Sequence, residues 1–411
     1  MQFLRIARVC LTLAAFLLVP AIFSGLAAAQ SKPQKTEKAQ GEGKKNQRPD
    51  PKTEEERKRA EEEKNAVVDP VVEKVESSIV GVDVVVFNKK TGQIVTDLHK
   101  ANFQIFENGV KQEITSFAAS ESPITVSMVL EYSKLTQALG SASGGWYEPG
   151  QYEAIKPVAY FLARFIKPPN DYASVVAFDV RPTPITDFTN DPRRLNESVN
   201  LLFRNSPAWT ETNLFDALKF SLVGGRADSV VLENSKSETA LYGGMADVQA
   251  KRKAIILVAS GLDTFSKTNY DTIRNIIQEA GVPIYVISTG NYFMKKYGDR
   301  LGDQDGLLGS VNPGRLSMLQ AQNTLNTIAK ESGGKHFPMT FEGDIPGILE
   351  SINAMLRSQY SLAYDLAADH TPGKKYKIEV KVDVDGDGQT DEKTYVVQYR
   401  PFYQVPEKKK S

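Results

Sequence analysis

Two stretches of this 411-residue chain place oxygen atoms at spacings that suit a divalent cation. The first is Ser127-Met-Val-Leu-Glu-Tyr-Ser-Lys-Leu-Thr136, an apolar run that turns polar at Glu131 and Ser133. It reads as a buried strand entering a loop, the place where open α/β sheets gather ligands. The second is Asp383-Val-Asp-Gly-Asp-Gly-Gln-Thr-Asp391, between two predicted strands. Its D-x-D-x-D-G spacing sets carboxylates at alternate positions around a tight turn, and Gly388 permits the backbone reversal. Asp383, Asp385, Asp387, the carbonyl at Gln389 and Asp391 make the first part of a Ca²⁺ loop. Position twelve is Thr394 instead of the bidentate Glu, and no helices flank it. Four acids packed so closely repel unless neutralised, which favours Ca²⁺ over a bare solvated turn.

Other chemistry is scarce. The only cysteine is Cys10, near the N-terminus, and His99, His336 and His370 have no metal-ligand partner at helical spacing. No nucleophile elbow, phosphate loop or dinucleotide fingerprint follows a strand. Gly140 to Gly145 is Gly/Ser-rich without the Lys of a phosphate cradle, and Trp146, Tyr147 and Tyr152 beside it read as helix packing or as a recognition surface. The acids Asp303 and Asp305 fall in a long connection. A hydrolase with Glu131 as general base would lack both nucleophile and oxyanion arrangement, so no enzyme is expected. The 50 basic and 50 acidic residues balance with no basic stripe, which argues against a nucleic-acid partner.

Residues 1–29 carry Arg5 and Arg8, a short apolar run and Ala27-Ala28-Ala29, the arrangement of a secretory signal peptide. A secreted or envelope-associated protein with no membrane span after cleavage is expected, the alternative being a retained anchor. Residues 30–65 are rich in Lys, Glu, Gln and Pro and read as a disordered linker. A disordered tail is expected over 405–411.

Between these ends the pattern changes twice. Residues 66–122 hold short strand-like runs, including a hairpin at Asn108-Gly109. Over 123–358, strand-like and helical runs alternate. Ser174 to Phe178, Ala254 to Ala259 and Pro283 to Ile287 are continuously apolar, as strands covered on both faces must be. This predicts an α/β domain, a doubly wound, mostly parallel sheet. The connections Arg226 to Arg252 and Asn291 to Arg315 are longer than usual. Residues 359–404 return to alternating strands. Neither β block is complete alone, so they are expected to pair as one small β-sandwich with the α/β domain inserted.

The loops after Leu130, at Thr210 to Asn213 and at Ser260 to Asp263 all fall at the carboxyl ends of predicted strands. On these residues and on Arg357-Ser-Gln-Tyr360, the chain resembles a von Willebrand factor type A domain, in particular a secreted bacterial family. The resemblance covers about Ile79 to Tyr403 and implies a Rossmann-like fold and a protein-binding, adhesive role. It also implies a metal-dependent adhesion site of the form D-x-S-x-S, a Thr and an Asp. Matched positions are Glu131, Ser133 and Leu135, then Thr212, then Ser260. Glu131 keeps a carboxylate on a longer arm, Leu135 removes a hydroxyl, and Ser260 removes the second carboxylate. Mg²⁺ is poorly served by such a set, so a degenerate site is expected, with Asp263 as a possible substitute. Such a site is then held by hydrogen bonds, with Glu131 solvated or paired with a nearby base such as Lys134. The partner is a protein whose identity, like the oligomeric state, the sequence does not name. An alternative role is a Ca²⁺-stabilised structural component of the envelope, with recognition in the long loops.

Overall fold

The computed structural model describes residues 79–119, 122–134, 149–227, 240–250, 252–297, 314–366 and 370–405. The expected signal peptide, the linker and residues 406–411 of the tail lie outside the described residues, as do Leu135, Trp146, Tyr147, Asp303 and Asp305.

Four strands come first: β1 (Ile79–Asn88), β2 (Phe103–Glu107), β3 (Val110–Gln112) and β4 (Ser116–Ala118). Val80, Val82, Val84 and Val86 of β1 are buried, the period of two that covers one strand face. β2 and β3 form the expected hairpin. At its turn Asn108 and Gly109 have φ of 47° and 85°, the left-handed pair that matches strand twist.

The α/β part follows. Its strands are β5 (Ile124–Glu131), β6 (Tyr172–Phe178), β7 (Pro182–Thr189), a separate two-stranded ribbon of β8 (Gly224–Ala227) and β9 (Ala240–Gly243), then β10 (Arg252–Ala259), β11 (Ile284–Ser288) and β12 (His336–Pro338). Its helices are α1 (Pro149–Phe165), α2 (Pro192–Arg204), α3 (Leu214–Val223), α4 (Tyr270–Ala280), α5 (Gly290–Tyr297), α6 (Arg315–Ser332) and α7 (Asp344–Ser358). The central sheet runs β12-β11-β10-β5-β6-β7, parallel throughout except for β7 against β6. β10 shows why its sequence is apolar without alternation. Ala254, Ile256 and Val258 pack with residues of α1, α2 and α7, while Ile255, Leu257 and Ala259 pack with residues of α3, α4 and α6. Each face needs apolar side chains because each is covered by helices. Helix ends carry their signals: the Asp191 side chain accepts from the Arg193 N–H at 2.9 Å ahead of Pro192.

Four strands close the chain: β13 (Tyr360–Asp365), β14 (Lys375–Val382), β15 (Tyr395–Gln398) and β16 (Phe402–Gln404). They pair with the first four, giving sheets β15-β1-β13-β4 and β16-β14-β2-β3. Both sheets feed one apolar cluster that includes Val82, Val84, Ile105, Leu362, Ile378 and Val380.

The chain passes between the two parts at a fixed junction. Arg252, 1% exposed, donates from Nη1 to the carbonyls of Leu356 (2.9 Å) and Arg357 (2.6 Å). Its Nη2 donates to those of Ala119 (3.1 Å) and Gln359 (2.6 Å). One guanidinium therefore holds both crossing segments. Arg357 pairs with buried Asp171, which also accepts from the N–H groups of Ile124 (3.0 Å) and Lys167 (2.9 Å). Burial raises the Asp171 pKa, but Arg357 and these N–H groups outweigh it and hold the carboxyl below its ordinary value. The Tyr360 hydroxyl donates to Val95 O (2.9 Å) and accepts from Leu98 N–H (3.0 Å). The Arg-Ser-Gln-Tyr stretch is thus the seam between the parts.

Three features differ from the sequence reading. β7 contains Pro182 and Pro184, which weaken its strand signal, and its place at the sheet edge accommodates them. The long connection beginning near Arg226 includes the β8–β9 ribbon, and the one beginning at Asn291 includes most of α5. The ribbon is anchored by Tyr242, whose hydroxyl lies 3.2 Å from Ser127 Oγ and 2.8 Å from Ser174 Oγ.

Candidate functional site

From β5 the chain builds outward through β6 and β7, then returns to the other flank of β5 and builds outward through β10, β11 and β12. The order of the sheet reverses between β5 and β10, and ligand crevices form outside strand ends at such a point. Glu131 is the last residue of β5, and Ser260 directly follows β10. The sequence-predicted residues Glu131, Ser133, Thr212 and Ser260 are all brought to this end of the sheet and all buried, between 0% and 1% exposed.

Glu131 Oε2 accepts from both the N–H and the Oγ of Ser260, each at 2.7 Å. Its Oε1 accepts from Ser133 Oγ at 3.1 Å. Burial pushes the Glu131 carboxyl above its ordinary pKa, and the bonds from Ser260 and Ser133 offset only part of that rise. Neither the solvated Glu131 nor the Glu131–Lys134 pair is found. The carboxylate is 1% exposed and bonded to serines, whereas Lys134 is an exposed residue whose N–H donates to Trp209 O at 2.6 Å. Strand geometry explains this: Glu131 keeps the buried direction of β5, and the nearest donors are those of the adjacent strand end.

Thr212 is committed elsewhere. Its hydroxyl donates to Leu262 O at 2.8 Å, and its N–H donates to Thr264 Oγ1 at 2.9 Å. Asp263 does not take the place of the second carboxylate that the resemblance implies. It accepts from Ser266 Oγ at 2.5 Å, Ser266 Oγ in turn accepts from the N–H groups of Phe215 (3.1 Å) and Asp216 (3.2 Å) at the start of α3, and burial raises the Asp263 pKa. Gln322, in the middle of α6, completes the arrangement by donating from Nε2 to Ser260 O at 2.9 Å while its Oε1 pairs with Ser288 Oγ. Nothing in its local sequence marks it, because α6 is distant along the chain. Gly261, at φ 91°, lets this turn lie against α6, where a Cβ would meet Leu325 and Ala321 O within 3 Å.

The acidic loop forms a second centre. Carboxylate oxygens of Asp383, Asp385 and Asp391 lie within 4.8 Å of one another, a possible metal site. Asp383 accepts from the N–H groups of Gly386 (2.7 Å) and Gly388 (2.8 Å), and Asp391 from that of Val384 (2.7 Å). Gly386 and Gly388 hold φ of 76° and 86°, which wraps the loop around these acids. Asp387 stands outside the group of three and accepts from Gln389 N–H at 2.7 Å. Of the five expected ligands, three are gathered by side chain. The loop is tied to the start of β2 by Asn102, which exchanges two hydrogen bonds with the Asp383 backbone.

The histidines lie apart from both centres. His99 is exposed, and burial lowers the pKa of His336 in β12. His370 lies with Nε2 2.6 Å from Glu107 Oε1 and its ring 4.0 Å from that of Tyr376.

No family model and no curated protein matches the chain. Among solved structures it is similar to proximal thread matrix protein 1 from the mussel byssus, at 15% identity and TM-score 0.39, over 61% of this chain and 50% of that one. It therefore spans about half the length of that protein. A second structure of the same mussel protein, with a zinc-occupied MIDAS motif, matches at 12% identity and TM-score 0.37 over 62% of this chain and 50% of that one. The vWF domain of the type V pili tip protein Mfa5 from Porphyromonas gingivalis matches at 15% identity and TM-score 0.36 over 58% and 97%. A von Willebrand factor type A structure from Catenulispora acidiphila matches at 11% identity and TM-score 0.34 over 75% and 74%. Two of these structures, those from Porphyromonas gingivalis and Catenulispora acidiphila, are described as vWF or von Willebrand factor type A domains, the family that the sequence resembles.

Proposed function

We propose that this chain is a secreted or envelope-associated module that binds a protein partner at the carboxyl end of its α/β sheet, without catalysis and without a divalent ion at that face. The double hydrogen bond from Ser260 to Glu131 carries the reading. Mg²⁺ requires near-octahedral oxygen ligation, usually with carboxylates. Here the one carboxylate already accepts three hydrogen bonds from protein donors, Thr212 is turned to Leu262, and Leu135 has no oxygen to offer. The donor set does not fit the ion, so the adhesion site is degenerate and its face acts as a rigid surface. Trp209 and Phe265, 54% and 55% exposed, flank the buried Thr212 loop and supply the large apolar side chains that anchor protein interfaces.

In this reading the two four-stranded sheets pack as a β-sandwich that carries the inserted α/β domain, and Ca²⁺ at Asp383, Asp385 and Asp391 neutralises the loop between β14 and β15. Thermal unfolding with added ions tests both halves. Mg²⁺ and Mn²⁺ should leave the midpoint unchanged. Ca²⁺ should raise it, and Asp385→Ala should abolish that rise. A Mn²⁺ shift that disappears in Glu131→Gln would overturn the degenerate-site reading. Partner capture from the native envelope should fall in a Trp209→Ala/Phe265→Ala double variant. Capture that persists there would favour a structural envelope component with recognition elsewhere.

A further inference from the structure

Beside the Glu131 site, the end of β6 (Ala177, Phe178) and Tyr132 just after β5 form one wall of an open cleft of about 400 Å³, a size typical of small-ligand clefts. Ile185 of β7, Leu201 and Leu202 of α2 and Pro207 make its lining mainly apolar. Tyr132, next to Glu131, fixes one side: its hydroxyl donates to Leu202 O at 2.8 Å and also meets Asn205 O. Among the described lining residues one acid, Asp179, stands in this apolar setting with no basic residue in the lining. Its carbonyl accepts from Asn213 N–H at 2.8 Å, so the loop that carries Thr212 also positions the acid.

We infer that this cleft receives a lysine side chain of the protein partner, with the methylene stem along the apolar walls and the ammonium against Asp179. The inference rests on the protein-binding reading of this face. Charge complementarity selects the occupant: an apolar trough with a single carboxylate fits a long apolar stem that ends in a cation. Burial raises the Asp179 pKa, and its bonds with the N–H groups of Arg181 and Val180 and the charge of Arg181 do not fully offset that rise. An arriving cation restores what burial removes. Those same backbone bonds occupy part of the carboxylate, leaving less of the two-oxygen fork that a guanidinium prefers and suiting the point charge of an ammonium. Phe203 and Trp209, 41% and 54% exposed, border the cleft segment in sequence and offer aromatic surface to the residues around the lysine.

The test uses the full chain and otherwise identical apolar peptides carrying lysine, norleucine, arginine or glutamate at one position, with affinity measured by calorimetry. Lysine should bind at least tenfold more tightly than norleucine, which keeps the four-carbon stem and lacks the ammonium, and more tightly than arginine or glutamate. Asp179→Asn keeps an acceptor for the backbone and should bring the lysine-to-norleucine ratio near one. Ala208→Trp should weaken every peptide while the thermal midpoint stays in place. Equal binding of norleucine, tighter binding of arginine or glutamate, or a ratio that survives Asp179→Asn would overturn the assignment. Lysine selectivity with partner capture unaffected by Trp209→Ala/Phe265→Ala would keep the cleft and overturn the face reading. Capture lost in that double variant with no lysine selectivity would overturn the cleft alone.

Discussion

Ser260 donates twice to one oxygen of Glu131, from its N–H and its hydroxyl, both at 2.7 Å. A serine thus stands where the sequence resemblance implies a second carboxylate, and it donates hydrogen bonds to the first acid. The end of the sheet is closed by hydrogen bonds.

Glu131 should make stability depend on pH in an uncommon direction. Its folded pKa lies above the unfolded value of 4.5, so folding disfavours the ionised form. The penalty is fully present above the folded pKa and is relieved as pH falls through it toward 4.5. Glu131→Gln retains an acceptor for Ser260 and places a donor toward Ser133. At neutral pH this variant should gain on the wild type by on the order of 1 kcal/mol. The gain should vanish as pH falls toward 4.5; denaturant unfolding from pH 4 to 8 reads it. A difference that does not vary with pH would show that Glu131 ionises as readily in the fold as outside it.

Asp171 should behave in the opposite sense. Its folded pKa is held below the unfolded value of 3.8, so its contribution is present above pH 3.8 and lost as pH falls below it. Asp171→Asn leaves Arg357 without its ion pair and should cost about 3 kcal/mol at pH 7. The cost should shrink below pH 3.8, as the same denaturant series extended to pH 2.5 would reveal.

Ser260→Asp should recreate the missing chemistry at a price in stability. Two carboxylates would then share a buried site, and like charges disfavour joint ionisation. The variant should unfold several degrees earlier than the wild type in chelator, and millimolar Mn²⁺ should restore part of the loss while leaving the wild type unchanged. Calorimetric scanning with and without the ion provides the readout, and a variant indifferent to Mn²⁺ would mean that Leu135 and Thr212 leave the shell too sparse.

Arg252→Met should test the junction. The substitution keeps an apolar stem but leaves the carbonyls of Ala119, Leu356, Arg357 and Gln359 without their shared donor. The carbonyls of Leu356 and Gln359 belong to buried residues, and buried acceptors without partners are costly, so a loss of about 3 kcal/mol is expected. Hydrogen exchange should show the increase in opening concentrated near residues 119 and 356–360. Uniform loss across the sheet would argue that Arg252 acts only through packing.

Periodicity carried most of the architecture. Ala254 to Ala259 is apolar at every position because two helical layers need it, and Val80, Val82, Val84 and Val86 recur at every second position because one apolar cluster takes that face. Such patterns are local, so the turn at Asn108-Gly109 and the order of strands and helices, apart from β7, the β8–β9 ribbon and α5, could be read from residue types alone. The acids of 383–391 are also local, and three of them meet as their spacing implies. Pairing between Glu131 and Ser260 is a different kind of fact. Those residues lie far apart in the chain and become neighbours only because β5 and β10 are adjacent and parallel. Sequence by itself determined which ligand types are present and which are missing. Tertiary structure alone decided that the remaining carboxylate is buried and bonded to Ser260, that Asp263 faces Ser266, and that Arg252 gathers four carbonyls from two crossing segments. The physical reason is that hydrogen-bond partners are chosen by distance in space, and a buried group must take the donors its neighbours present.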